Sequence, residues 1–91
     1  MAILYAQEAI DDLKEIIRYG YEQGHDDPAG YAAELMASLG ILAVHPKSGR
    51  TGRVAGTREL VIAGTPYIAV YEIAGPNQNV RRVLHGSRRW P

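Results

Sequence analysis

The C-terminal residues 50–91 read RTGRVAGTRELVIAGTPYIAVYEIAGPNQNVRRVLHGSRRWP, and the rest of the predicted fold is arranged around them. They contain three runs rich in β-branched and aromatic residues, a composition typical of β-strands. The runs cover residues 58–62, 67–73 and 79–85. The turn Gly64-Thr65-Pro66 separates the first two runs, and the loop Gly75-Pro76-Asn77 precedes the third. Because such short connections join adjacent antiparallel strands, the stretch predicts a three-stranded meander.

Alternation along these strands assigns their side chains to the two faces of the predicted sheet. In the third run, one face carries Val80, Arg82 and Leu84, and the other carries Arg81, Val83 and His85. In the second run, Tyr67 and Tyr71 share a face. We expect these two tyrosines to lie on the side of the sheet that packs in the core.

Two amphipathic helices are predicted upstream of the sheet. In residues 7–23 apolar side chains recur at helical spacing, namely at Ile10, Leu13, Ile16, Ile17 and Tyr21. Asp27-Pro28 starts the second helix, with Asp as N-cap and Pro in the first turn. Its stripe, which we expect to run on until Pro46, comprises Tyr31, Leu35, Leu39 and Leu42. A short connection makes the two helices an antiparallel hairpin.

The predicted architecture is a single α+β domain over residues 1–91. Residues 2–5 form a short apolar run and are assigned as an N-terminal strand, so the element order is β-α-α-β-β-β. Residues 47–56, rich in Gly and Arg, are expected to be a loop. The helical hairpin packs on one face of a small, mainly antiparallel sheet. The other face is the candidate functional surface.

The bulk composition bounds the class of protein. A chain of 91 residues makes one domain, and its 46% hydrophobic content excludes a disordered one. It contains no cysteine, and its histidine and acidic residues lack metal-ligand spacing, so we expect no metal and no cofactor. No run approaches the ~20 apolar residues of a membrane span, and no secretory signal pattern opens the chain. We therefore expect a cytoplasmic protein without a membrane partner.

The net charge of zero conceals a strong asymmetry between the two halves of the chain. Residues 1–46 hold two basic and eight acidic residues, and residues 47–91 hold eight basic and two acidic residues, giving −6 and +6. Seven of the eight basic residues in the second half are arginines, which favour bidentate contacts to carboxylate or phosphate. The basic half therefore predicts an anionic partner, unless the two halves attract each other within the fold.

The ordered motifs of the chain resemble the RelE/ParE superfamily of toxins from bacterial type II toxin–antitoxin pairs. After the helical hairpin, the motifs are P-x-S-G-R-x-G-R-V-x-G-T-R-E-L at residues 46–60, G-T-P-Y at 64–67 and R-V-L-H-G-x-R-x-W-P at 82–91. The resemblance covers essentially the whole chain. It implies the β-α-α-β-β-β fold and a hetero-oligomer with a cognate antitoxin protein that wraps the toxin. In place of the Thr/Ser-Pro of many relatives, Ala6-Gln7 leaves the first helix without an evident cap.

Within this superfamily, RelE-like members cut mRNA on the ribosome, whereas ParE-like members poison DNA gyrase. RelE-like relatives carry a catalytic Arg three residues before the Tyr that corresponds to Tyr71, and this position is Ile68 here. Some relatives end in a His-Tyr pair, and here His85 is followed by Gly86. The comparison favours a gyrase-binding, ParE-like toxin that is not an enzyme. The alternative is a ribosome-dependent endoribonuclease that uses His85 and Arg82.

A third hypothesis is a non-toxic nucleic-acid-binding module, which ranks last because the sheet lacks the adjacent aromatic residues that RNA-reading sheets use. We expect no sequence-specific DNA binding by this chain alone. His85 suits acid–base chemistry, but a histidine at a strand end is also an ordinary surface residue.

The candidate site residues follow from the resemblance and the charge pattern. The expected target-binding residues are Arg58, Arg82, His85, Arg88, Arg89 and Trp90. In the C-terminal part of this set the arginines supply the basic patch, and Trp90 anchors the tail to the sheet. The expected antitoxin-binding residues are Leu13, Ile17, Leu35 and Leu39 of the hairpin, with Arg50 and Arg53.

Overall fold

Eight short elements make up the protein in a computed structural model that describes residues 2–87. They are β1 (Ile3–Tyr5), α1 (Gln7–Glu22), α2 (Pro28–Ser38), α3 (Ile41–Val44), β2 (Arg50–Thr51), β3 (Arg58–Val61), β4 (Tyr67–Ala74) and β5 (Asn77–His85). The strands form one sheet in the order β1-β5-β4-β3-β2. Strand β1 pairs with β5 in parallel, and the other neighbours are antiparallel. The α+β class and the meander are thus confirmed.

The helical hairpin covers one face of the sheet. Its apolar stripes supply Ala9 and Leu13 from α1 and Leu35 from α2, and these side chains are buried in the core. Facing them from the sheet are Ala69, Tyr71, Val80 and Val83. Each large side chain buried in this way contributes roughly 1.5–3 kcal/mol. No helix within residues 2–87 is long and apolar enough to cross a membrane.

The second helix begins as predicted but ends earlier. The carboxylate of Asp27 accepts the N–H of Gly30 at 3.1 Å, and Pro28 occupies the first turn. The expected continuous helix to Pro46 was wrong, because α2 ends at Ser38 and the short α3 follows. Between them the N–H groups of Gly40 and Ala43 donate to carbonyls three residues back, a tighter turn than an α-helix. Leu39 and Leu42 remain fully buried across this break.

A β-bulge in β5 overturns the predicted alternation. Val70 pairs with Arg82 while Tyr71 pairs with Val80, so Arg81 is an extra residue in the ladder. The extra residue shifts the alternation by one position, and Val80 and Val83 therefore both enter the core. Beyond the bulge Leu84 pairs with Ile68 on the opposite face.

Tyr71 joins the loop before β2 to the centre of the sheet. The hydroxyl of this fully buried residue donates to the carbonyl of Pro46 at 2.6 Å and accepts the N–H of Gly49 at 2.9 Å. Gly49 is required there, because a Cβ would lie 2.8 Å from both the Glu59 carbonyl and the Tyr71 ring. The segment expected to be only loop thus contains the two-residue strand β2, which pairs with β3.

Candidate functional site

The face of the sheet opposite the hairpin, here called the open face, brings apolar and charged residues together. Rows across the sheet place Glu59 beside Val70, and Val61 beside Ile68 and Leu84. A hollow of about 80 Å³ lies on this face. The residues that line it include Arg50, Arg53, Glu59, Ile68, Leu84 and His85. Arg50 and Arg53, predicted to bind the antitoxin, are therefore neighbours of His85, predicted to bind the target.

Glu59 organises the two arginines of this hollow. One carboxylate oxygen accepts the guanidinium of Arg50 at 3.0 Å, and the other accepts the backbone N–H of Arg53 at 3.1 Å. The backbone N–H of Arg53, followed by the Arg50 side chain, holds the pKa of Glu59 below its usual range. Within residues 2–87 the guanidinium of Arg53 makes no ion pair. Arg53 therefore leaves its positive charge available at the surface.

Arg82 is tied to the first helix by Asp12. Its guanidinium donates to the two Asp12 carboxylate oxygens at 2.7 and 3.0 Å, and the Val83 N–H donates to the same carboxylate at 2.9 Å. This side-chain bonding raises the pKa of Arg82. Strand β1 ends opposite Val80, so Asp12 supplies an acceptor on the edge of β5 that β1 no longer covers. Arg82 was predicted as a target-binding residue, and the structure gives it a structural partner.

Arg58 lies apart from Arg82 and His85. It pairs with Tyr71 across β3 and β4, which places its side chain on the helix-facing side of the sheet. One of its N–H groups donates to the carbonyl of Gly49 at 2.7 Å. Arg58 therefore helps Tyr71 to hold the loop before β2, and the structure does not bring it together with Arg82 and His85.

His85, at the end of β5, contacts two residues that fix its ring. Its Nδ1 lies 2.8 Å from Ser87 Oγ and accepts the Ser87 backbone N–H at 3.2 Å. Because Nδ1 accepts this bond, the ring proton of the neutral form lies on Nε2. The imidazole also meets the Tyr67 ring edge to face, with centroids 5.8 Å apart. Arg88, Arg89 and Trp90, the rest of the predicted patch, lie outside the described residues.

A larger depression, here called the hairpin cleft, lies between the helices and the end of the sheet. Its volume is about 440 Å³, and its lining includes Ile16, Tyr19, Asp26, Pro28, Tyr31 and Tyr67. The Tyr31 and Tyr67 rings stand 6.3 Å apart with their planes inclined by 62°. Burial, followed by the neighbouring Tyr31 and Tyr19, raises the pKa of Tyr67. Tyr67 was predicted to be core, and it packs against the core while also lining this cleft.

The hairpin residues proposed for antitoxin binding are mostly inaccessible. Leu13, Leu35 and Leu39 are buried in the core, where no partner can reach them without opening the fold. Ile17 is half-buried on α1. The leucines point at the sheet because their burial stabilises the fold, whereas Tyr31, also predicted to belong to the stripe, is exposed. The antitoxin can therefore reach only the apolar side chains that the hairpin exposes. These include Tyr19, Tyr31 and Met36, which are 53%, 36% and 42% exposed.

Three features of the candidate site were missed from the sequence. Asp12 holds Arg82 from a distance of 70 residues, Glu59 positions Arg50 and Arg53, and the tyrosines form the hairpin cleft. The opposite charges of the two halves were a usable signal for the first of these. The cleft had no such signal, because Tyr31 and Tyr67 belong to separate elements that meet only in the tertiary structure.

Comparison with known proteins identifies the family. The chain matches the family described as ParE toxin of type II toxin-antitoxin system, parDE, over residues 3–90. It is 36% identical over 89 residues to Y4kP, a candidate toxin of Sinorhizobium fredii (strain NBRC 101917 / NGR234), with 98% of this chain and 92% of that protein covered. A solved chain of the chromosomal ParDE TA system from P. aeruginosa shares the fold at a TM-score of 0.80 and 20% identity, covering 93% of this chain and 95% of that one. The resemblance drawn from the motifs is thereby confirmed, and the chain belongs to the ParE toxin family of type II toxin–antitoxin systems.

Proposed function

We propose that the chain inhibits growth in the cytoplasm by binding DNA gyrase, and that a cognate antitoxin neutralises it. Membership of the ParE toxin family supports the general role. The target and the neutralisation are the parts that we propose. One observation favours a binding toxin over a ribonuclease. The tyrosine and arginine side chains of the sheet that could serve in cleavage are bonded to other groups of the fold.

Cleavage of RNA requires groups that exchange protons beside the phosphate and others that stabilise the charge on it. In this chain the Tyr71 hydroxyl is committed to two backbone groups, and the Arg82 guanidinium is held by Asp12. Ile68, an apolar residue of the open face, stands where the resemblance expects a catalytic arginine. Because these tyrosine and arginine groups are already bonded within the fold and Ile68 is apolar, these features support a toxin that acts by binding.

The target-binding surface that we propose centres on the hollow of the open face. Arg50 and Arg53 are exposed there next to His85, and the half-buried Ile68 and the buried Leu84 also line the hollow. A surface that combines arginine with apolar side chains is typical of protein–protein interfaces. The sequence adds Arg88, Arg89 and Trp90 to this surface as a prediction.

Inducible expression with separate labelling of DNA, RNA and protein synthesis tests the target. We expect DNA synthesis to stop first, and purified chain to inhibit supercoiling by gyrase in vitro. Arg53→Glu should weaken both effects, because it reverses an exposed charge in the hollow. Lys14→Glu is the matched control, since it makes the same charge change at an exposed position of α1. Immediate arrest of translation, with codon-specific mRNA cuts that disappear in His85→Ala, would instead establish the ribonuclease.

Hydrogen exchange with and without the antitoxin tests the neutralising contact. We expect protection on the exposed side of the hairpin, around Tyr19, Tyr31 and Met36, together with the arginines of the open face. A partner segment can add a helix to a groove or a strand to a sheet edge. Protection confined to β1 would contradict the proposed surface. Failure of the antitoxin to restore growth would contradict neutralisation itself.

A further inference from the structure

Among the residues that the structure describes, the hairpin cleft combines aromatic walls with one carboxylate, that of Asp26, at its rim. We propose that it takes one basic side chain, arginine or lysine, from the peptide segment of the antitoxin. The claim that the segment belongs to an antitoxin rests on the proposed function. The claim that the cleft binds a basic side chain rests on the residues that line it. A basic side chain has an apolar stem and a charged head, so it needs both kinds of surface in one place.

The walls suit the stem and the flat head of such a side chain. Ile16 and Pro28 provide aliphatic surface, and Tyr19, Tyr31 and Tyr67 provide aromatic surface. The Tyr31 and Tyr67 planes are inclined by 62°, and those of Tyr67 and His85 by 81°. A group inside the cleft therefore meets rings of several orientations. Cations are attracted to the faces of such rings, and arginine also stacks on them.

The charges around the cleft favour a cation. Asp26 is exposed at the rim, and it makes no ion pair within residues 2–87. No lysine or arginine of the described chain lines the cleft. The adjoining groove also holds Asp12 and Glu15, but these already pair with Arg82 and Arg18. Asp26 is thus the carboxylate left for an incoming charge, within a half of the chain that carries a net charge of −6.

Short peptides test the inference on the intact chain without gyrase or antitoxin. The probes are N-acetyl-Leu-Arg-Leu-amide, its lysine analogue and its uncharged citrulline analogue, each titrated while amide chemical shifts are recorded. We expect a basic peptide to shift the amides of Gly20, His25, Tyr31 and Tyr67 and to bind at least about fivefold more tightly than the citrulline peptide. Equal binding of all three peptides, or shifts located elsewhere, would overturn the proposal.

Variants of the cleft separate charge from shape. Asp26→Asn should weaken binding of the basic peptide about two- to fivefold, as expected for an exposed ion pair, and leave the citrulline peptide unchanged. Tyr31→Phe keeps the ring and should bind as well as the parent, whereas Tyr31→Ala should lose most of the affinity. Asp11→Asn is the control, because it neutralises an exposed carboxylate of α1 outside the cleft. If Asp26→Asn has no more effect than Asp11→Asn, the cleft does not select for charge.

The outcome is separable from that of the proposed function. A chain that poisons gyrase but ignores the basic peptides would refute the cleft proposal alone. A chain that binds the peptides in the cleft but leaves gyrase and growth unaffected would refute the proposed function and keep the cleft chemistry. In the complex, Asp26→Asn should weaken antitoxin binding while leaving the inhibition of gyrase by the free chain intact.

Discussion

At the residue scale, the carboxylate of Asp12 joins α1 to β5. It accepts the guanidinium of Arg82 and the N–H of Val83, and it is only 13% exposed. We expect Asp12→Asn to destabilise the fold by about 1–2 kcal/mol, because Arg82 loses its charge partner while Asn can still accept one N–H. Urea unfolding checks this value. Glu34→Gln, at an exposed position of α2, should change stability by no more than about 0.5 kcal/mol.

Tyr71 is the second residue that can be tested alone. Its fully buried hydroxyl bonds to Pro46 and Gly49, so Tyr71→Phe leaves a donor and an acceptor without their partner. We expect a loss of roughly 2–3 kcal/mol. Tyr21→Phe removes the same atom from an exposed residue of α1 and should be nearly neutral. A variant Tyr71→Phe as stable as the parent would show that the loop before β2 is not held by this hydroxyl.

At the element scale, the start of α2 contains two competing requirements. Replacing a helical glycine by alanine normally stabilises a helix by ~1 kcal/mol, but a Cβ on Gly30 would lie 2.0 Å from the Asp27 carboxylate that caps the helix. We therefore expect Gly30→Ala to be nearly neutral, because the loss of the cap offsets the gain. In the Asp27→Ala background the same change should stabilise by ~1 kcal/mol. If the two substitutions are additive in this double-mutant cycle, the Cβ of residue 30 does not disturb the cap formed by Asp27.

The junction of β2 and β3 should respond to acid. The folded-state pKa of Glu59 is lowered, so its contribution to stability is present above its ordinary pKa of 4.5 and is lost as the pH falls through the lower folded value. Glu59→Gln should therefore reduce stability at pH 7 and flatten the stability profile below about pH 4.5. Denaturant titrations between pH 7 and pH 3 measure the slope. Glu34→Gln should leave that slope unchanged, and an equally steep profile in Glu59→Gln would disprove the role of this carboxylate.

At the scale of the whole molecule, the charge asymmetry survives folding. Within residues 2–87, Arg82–Asp12 is the ion pair that joins the acidic and basic halves, since the other pairs each lie within one half. A chain with zero net charge and two opposed charged regions should attract copies of itself at low ionic strength. Light scattering should show attraction between the molecules at about 0.01 M salt, where the Debye length is ~30 Å. The attraction should disappear near about 1 M salt, where the Debye length is ~3 Å. The double variant Arg50→Gln, Arg53→Gln should weaken this attraction. Scattering that does not change with salt concentration would contradict the prediction.

Local sequence was enough to predict most of the elements and much of their arrangement. The helical spacing in residues 7–23, the Asp27-Pro28 start of α2 and the β-rich run that became β4 all depend on neighbouring residues, whose propensities are readable locally. Short turns then made the meander of β3, β4 and β5 predictable. The helical hairpin and the ordered motifs that follow it were enough to identify the family.

Contacts between distant parts of the chain could not be predicted from local sequence. The bulge at Arg81 places Val83 in the core. Because β1 pairs with only the first part of β5, the remaining edge of β5 is free to donate to Asp12. The path of the chain also places the ring of Tyr31 beside that of Tyr67. None of these contacts is encoded by spacing along the chain. They arise because side chains far apart in sequence pack in the same core and bind at the same sheet edge. The fold adopts the packing that satisfies most backbone hydrogen-bonding groups, even where this breaks the local alternation of a strand.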